Sequence, residues 1–127
     1  MIRSILRRLA GAMLAVLAGG TIYLLLAPPE LLRVADGYAA KIVCSNVFVA
    51  GRDAEATLAT DVQAPGHPLL RLVRVRVDRD EGVVTARLLG LFATGIAIHR
   101  PGLGCTTVPD GDIAAARRMA LSEPTVP

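Results

Sequence analysis

The chain has 127 residues, 53% of them apolar, yet only two Tyr, two Phe and no Trp, so its core must be built from Leu, Val, Ile and Ala. That length holds one small domain, and the scarcity of rings excludes the aromatic platforms on which single-stranded nucleic acid stacks. The formal charge of +3 does not point to nucleic acid either, because Arg3, Arg7 and Arg8 sit at the N-terminus and from residue 30 onward 11 basic residues meet 11 acidic ones.

The first element runs from Leu9 to Ala27 without a charged residue. As a helix it is roughly 28 Å long, close to the hydrocarbon thickness of a bilayer. Three arginines precede it and the next basic residue is Arg33, so the positive-inside bias places the N-terminus in the cytoplasm and the rest outside. Pro28-Pro29 ends the helix. The competing reading is a cleaved signal peptide, with Ala18-Gly19-Gly20 as its small-residue site, but apolarity resumes at Ile22, Tyr23 and Leu24, which favours an uncleaved anchor. The expected location is therefore the bacterial inner membrane, in a single pass, with an exported periplasmic domain.

Beyond the anchor, Leu31, Ala35, Tyr38 or Ala39, and Ile42 keep helical spacing. The β-branched run toward Val49 leaves the end of that helix open to a strand. Gly51 breaks the pattern and Asp53 is placed to cap a short second helix through Leu58. A loop follows at Gln63 to Pro68. From Leu70 the period becomes two: Val73, Val75 and Val77 alternate with Arg74, Arg76 and Asp78. A turn at Arg79-Asp80-Glu81-Gly82 leads to a return strand from Val83 to Leu89, in which Val84, Ala86 and Leu88 are opposed by Thr85 and Arg87. A third strand is expected around Ile96 to Ile98, a turn at Arg100 to Gly104, and a short fourth strand from Cys105 to Val108. The pattern predicts an α+β unit: a transmembrane helix, one or two further helices, then a three- to four-stranded antiparallel meander. The divisions are an anchor over 1–29, the exported domain over 30–112, and a short helix with a linker-like tail over 113–127.

Cys44 and Cys105 are the only cysteines. In an oxidising compartment such a pair forms a disulfide. Two free thiols are the alternative, and a zinc site joining both to His67 and His99 fits less well because no CxxC or HxxxH spacing arranges ligands. Ser45 is the only serine of the exported domain. It lies in no G-x-S-x-G or S-x-x-K setting, and Lys41, the sole lysine, four residues before it, has no catalytic pattern to belong to. Arg71, Arg74, Arg76 and Arg87 form a stripe suited to phosphate, but Asp78, Asp80 and Glu81 share the hairpin, and a mixed solvated sheet face is the simpler reading. No cofactor is implied.

Two segments, Gly37-Tyr38-Ala39-Ala40-Lys41-Ile42-Val43-Cys44-Ser45-Asn46-Val47-Phe48-Val49-Ala50-Gly51-Arg52 and Arg100-Pro101-Gly102-Leu103-Gly104-Cys105-Thr106, resemble the N-terminal region of bacterial membrane-anchored serine hydrolases. The likeness is to the β-lactamase and penicillin-binding-protein type, including amide hydrolases related to nylon-oligomer hydrolase, and it runs from the anchor to about Asp112. It implies that the region precedes a hydrolase domain whose serine and lysine lie in an S-x-x-K motif. The 127 residues contain no S-x-x-K, Tyr-x-Asn or Lys-Thr-Gly element, so no catalytic residue carries over. The expectation is a membrane-tethered accessory domain of such a hydrolase, inactive alone, with a serine hydrolase catalytic domain as partner. The alternative is a stand-alone structural or interaction protein of the cell envelope.

Overall fold

A computed structural model of the chain describes residues 1–119. Of the short helix and linker-like tail expected over 113–127, the part beyond Met119 lies outside the described residues. α1 (Ile2–Leu26) is one continuous 25-residue helix, long and apolar enough to cross a membrane, and buries none of its residues. Within the apolar stretch the Thr21 hydroxyl donates to the carbonyl of Leu17 at 2.8 Å, which satisfies that donor inside the helix. Pro28 and Pro29 then redirect the chain, and Pro29 serves as N-cap of α2 (Glu30–Cys44).

α2 is the central strut of the domain. Its buried face consists of Asp36, Ala39, Ala40, Val43 and Cys44, with Leu32 packed alongside. This face is turned from the one that the sequence spacing picks out: Leu31 and Tyr38 are exposed. The small side chains at Ala39 and Ala40 let the sheet come close, and this selects the face over one bearing larger apolar groups. The chain stays helical after Cys44, widening into a π-turn over Ser45–Val49 rather than a strand.

Gly51 reverses the chain at a φ of +68°, a backbone region open to glycine without steric cost. The Asp53 carboxylate then accepts the N–H of Ala56 at 2.9 Å and caps α3 (Ala54–Thr57). A second π-turn, Leu58–Gln63, follows. The two wide turns are tied together by Arg52, which donates to the Asn46 side chain at 2.7 Å and pairs with Asp61. The Arg52 hydrogen bond, helped by the Thr60 hydroxyl, holds the Asp61 carboxyl below its ordinary range. A 3₁₀ turn, Pro68–Leu72, delivers the chain to the sheet.

The sheet is a four-stranded antiparallel meander in the order β1-β2-β3-β4, made of β1 (Val73–Asp78), β2 (Val83–Leu88), β3 (Phe92–Arg100) and β4 (Gly104–Thr107). The molecule is thus an α+β fold. Val73, Val75 and Val77 of β1, and Val84, Ala86 and Leu88 of β2, turn toward α2, while Arg74, Arg76 and Arg87 point outward. Strict alternation produces this because successive strand side chains leave opposite faces. A smaller cluster on the outer face of β3 joins Ile98 to Val108 and Ala116. Ala116 belongs to α4 (Ile113–Arg118), which Asp112 caps and Arg117 fastens to Glu81 at 3.1 Å. α4 is therefore packed onto the sheet rather than trailing from it.

Candidate functional site

The centre of the molecule is a polar contact inside an apolar layer. Asp36 is 1% exposed. Its Oδ2 accepts the backbone N–H of Leu88 at 3.1 Å, and its Oδ1 has no partner among the described residues. Burial raises its carboxyl to about pH 6 against the opposing pull of the Leu88 hydrogen bond, since an apolar surrounding disfavours the charged form. The free N–H exists because β2 and β3 fall out of register here. Ala86 pairs with Gly95 and Leu88 with Phe92, so Arg87 faces both Ala93 and Thr94, a β-bulge. Ala93 absorbs the extra residue at a φ of +54°. Next to it, a Cβ on Gly95 would run into the backbone of Asp36 and Gly37. Glycine at 95 and a carboxylate at 36 together seat α2 on the bulge.

At the far end of α2, Cys44 and Cys105 form a disulfide with their Cα atoms 6.1 Å apart, closing the helix onto β4 across 61 residues. Ser45 lies immediately beyond it, half-buried in the π-turn. Its backbone N–H is taken up by the carbonyls of Ile42 and Lys41, and Lys41 is exposed to solvent. Activation of a serine hydroxyl requires a base in hydrogen-bond reach, and among the described residues no side chain bonds to the Ser45 hydroxyl. The histidines are apart in role: His67 accepts the N–H of Leu69 at 3.1 Å, and His99 stacks on Phe48 with ring centroids 5.1 Å apart. Among the described residues no cluster of three metal-ligating side chains forms.

The outer face of β1 and β2 carries the arginines. Arg74 and Arg87 sit directly opposite each other in the ladder, and Arg76 opposes Thr85. Like charges in that position destabilise a sheet. Among the described residues neither Arg74 nor Arg87 has an acidic partner, the two ion pairs being Arg52 with Asp61 and Arg117 with Glu81. Arg74 donates to the carbonyls of Arg71 and Val73, and Arg87 to the Thr94 hydroxyl.

Asp36 carries no motif, and the sequence signal for it is only its position. It stands four residues after Leu32 and three or four before Ala39 and Ala40, in the stripe that α2 buries. Comparison with known proteins yields no matching family model, no matching curated protein and no matching solved structure.

Proposed function

We propose that this chain is a single-pass membrane protein whose α1 tethers a small, non-catalytic, disulfide-closed domain on the outer side of a bacterial inner membrane. The supporting observation is α1 itself: of its 25 residues only Leu24 is even half-buried in the protein, an arrangement that is stable in lipid and costly in water. The arginines at its start give the orientation. A disulfide between α2 and β4 suits the oxidising compartment that this orientation implies. The domain serves as the N-terminal accessory of a β-lactamase-like serine hydrolase. That part rests on the resemblance of the two cysteine-bearing segments.

Topology is tested by fusing alkaline phosphatase or green fluorescent protein after residue 119. Active phosphatase and a dark fluorescent fusion are expected, and the reverse pattern would refute the orientation. For the partner, the full chain is cross-linked in its native membrane and probed with a fluorophosphonate. A cross-linked, probe-reactive protein bearing S-x-x-K is expected. Cross-links only to unreactive proteins would favour a stand-alone envelope role, and labelling of this chain at Ser45, abolished in Ser45→Ala, would make it an enzyme.

A further inference from the structure

The connection between β2 and β3 places leucine where the backbone disfavours it. Leu91 donates its N–H to the carbonyl of Leu88 at 3.0 Å, and the two central residues, Leu89 and Gly90, have φ values of +55° and +75°. Such a type I′ turn favours Asn, Asp or Gly at both positions, and a bulky residue with positive φ is strained. Leu89 and Leu91 are also 52% and 65% exposed, so no gain from burial within the protein offsets the strain at Leu89. A strained, solvent-facing leucine pair is a reason to look for a partner.

The turn's location identifies that partner. Leu24 of α1 packs against the domain core, and Leu25, Pro28 and Leu91 line one hollow. The tip of the turn therefore lies level with the last turn of α1, where an anchor leaves the hydrocarbon. Arg87 lies just before the turn, Arg74 is its cross-strand neighbour, and Arg71 precedes β1, whose adjoining Leu72 carbonyl accepts the Leu89 N–H at 2.7 Å. Glu30 and Asp110 share a hollow with Arg33, while Arg74 and Arg87 line a hollow that also holds Asp78 and Glu81, toward the other end of the strands. Two exposed leucines beside three arginines that form no ion pair among the described residues match the interfacial layer of a bilayer, apolar below and phosphate-rich above.

We propose that the β2–β3 turn is a second membrane contact, inserting Leu89 and Leu91 into the interface of the bilayer that α1 spans while Arg71, Arg74 and Arg87 meet lipid phosphates. This rests on α1 being the anchor. The second contact fixes the tilt of the domain and keeps its Cys44–Cys105 end away from the surface.

Because the chain has no Trp, single Trp variants of the full protein report depth. Leu91→Trp, Arg79→Trp at the opposite end of the hairpin, and Val16→Trp in α1 are reconstituted into phosphatidylcholine/phosphatidylglycerol vesicles containing brominated phosphatidylcholine. Quenched, blue-shifted emission is expected for Leu91→Trp and Val16→Trp, and water-like, unquenched emission for Arg79→Trp. Adding Leu89→Asn to Leu91→Trp, or omitting phosphatidylglycerol, is expected to reduce the quenching. If Val16→Trp is quenched while Leu91→Trp behaves like Arg79→Trp, the turn does not touch lipid and the proposal falls, with the anchor intact. Blue-shifted but unquenched Leu91→Trp emission would mean that protein covers the turn, and it overturns the proposal as well. Unquenched Val16→Trp would remove the anchor, and this inference with it. Quenching indifferent to phosphatidylglycerol would rule out the role of the arginines.

Discussion

The carboxylate of Asp36 on α2 holds the backbone N–H of Leu88 on β2 at 3.1 Å across 52 residues of chain, with its second oxygen unpartnered among the described residues. This single contact joins the helix to the bulge and places an ionisable group in the apolar layer. Its consequences for stability depend on pH.

The Asp36 carboxyl sits at about pH 6 in the folded protein against 3.8 ordinarily, so the folded state binds this proton more tightly than the unfolded chain. Its contribution is fully present below about pH 4 and is lost as pH rises through about 6, a change of at most about 3 kcal/mol. Thermal unfolding of the full chain in mild detergent, followed by circular dichroism between pH 4 and 7.5, is expected to show this loss. In Asp36→Asn, which keeps an acceptor for Leu88, the loss disappears. A slope in Asp36→Asn equal to that of the unaltered protein would assign the effect to another group.

Asp36→Ala removes the acceptor itself and leaves the Leu88 N–H buried and unpaired. A destabilisation of about 1–3 kcal/mol is expected at every pH, measurable as a lower denaturant midpoint. An unchanged midpoint would show that water replaces the carboxylate.

Gly95→Ala puts a methyl group against the backbone of Asp36 and Gly37. Neither backbone can move without lifting α2 from the sheet, so a loss of about 1–3 kcal/mol is expected, as for other overpacked interiors. Gly37→Ala is the control, since a Cβ there meets nothing within 4 Å. Equal effects of the two substitutions would argue against the close approach.

The Cys44–Cys105 bond closes a loop of 61 residues. In the chain-entropy account such a closure stabilises the folded state by about 4 kcal/mol, a large part of the stability of so small a domain. Mass analysis under non-reducing conditions is expected to show no free thiol, and reduction is expected to lower the unfolding temperature sharply. Two free thiols in protein taken from its native membrane would contradict the pairing.

Leu89→Asn replaces a strained residue by one that favours positive φ. The variant is expected to be more stable by up to about 1 kcal/mol, measured as a higher unfolding temperature in detergent, where the native bilayer surface is absent. A less stable variant would mean that Leu89 packs within the protein.

Much of this architecture is legible from local pattern alone. An uncharged stretch of bilayer length, two prolines after it, and valines alternating with arginines over Val73–Asp78 each act within a few residues of chain, so local pattern reveals the long apolar helix and the meander. The buried face of α2 is less legible. Leu31 and Tyr38 look like core residues by apolarity, but the sheet selects Ala39 and Ala40 because it must come close at Gly95. Asp36 looks solvated, and it is buried because a bulge 52 residues later frees one N–H. Likewise, nothing local marks Leu89 and Leu91 as exposed. Sequence by itself determined the elements, their order and the charge asymmetry about α1, since these follow from side-chain spacing and hydropathy. Only the tertiary structure decided which carboxylate is buried, which glycine sets the helix-to-sheet distance, and which turn lies beside the end of α1, because each depends on residues far apart in the chain meeting within a few ångströms.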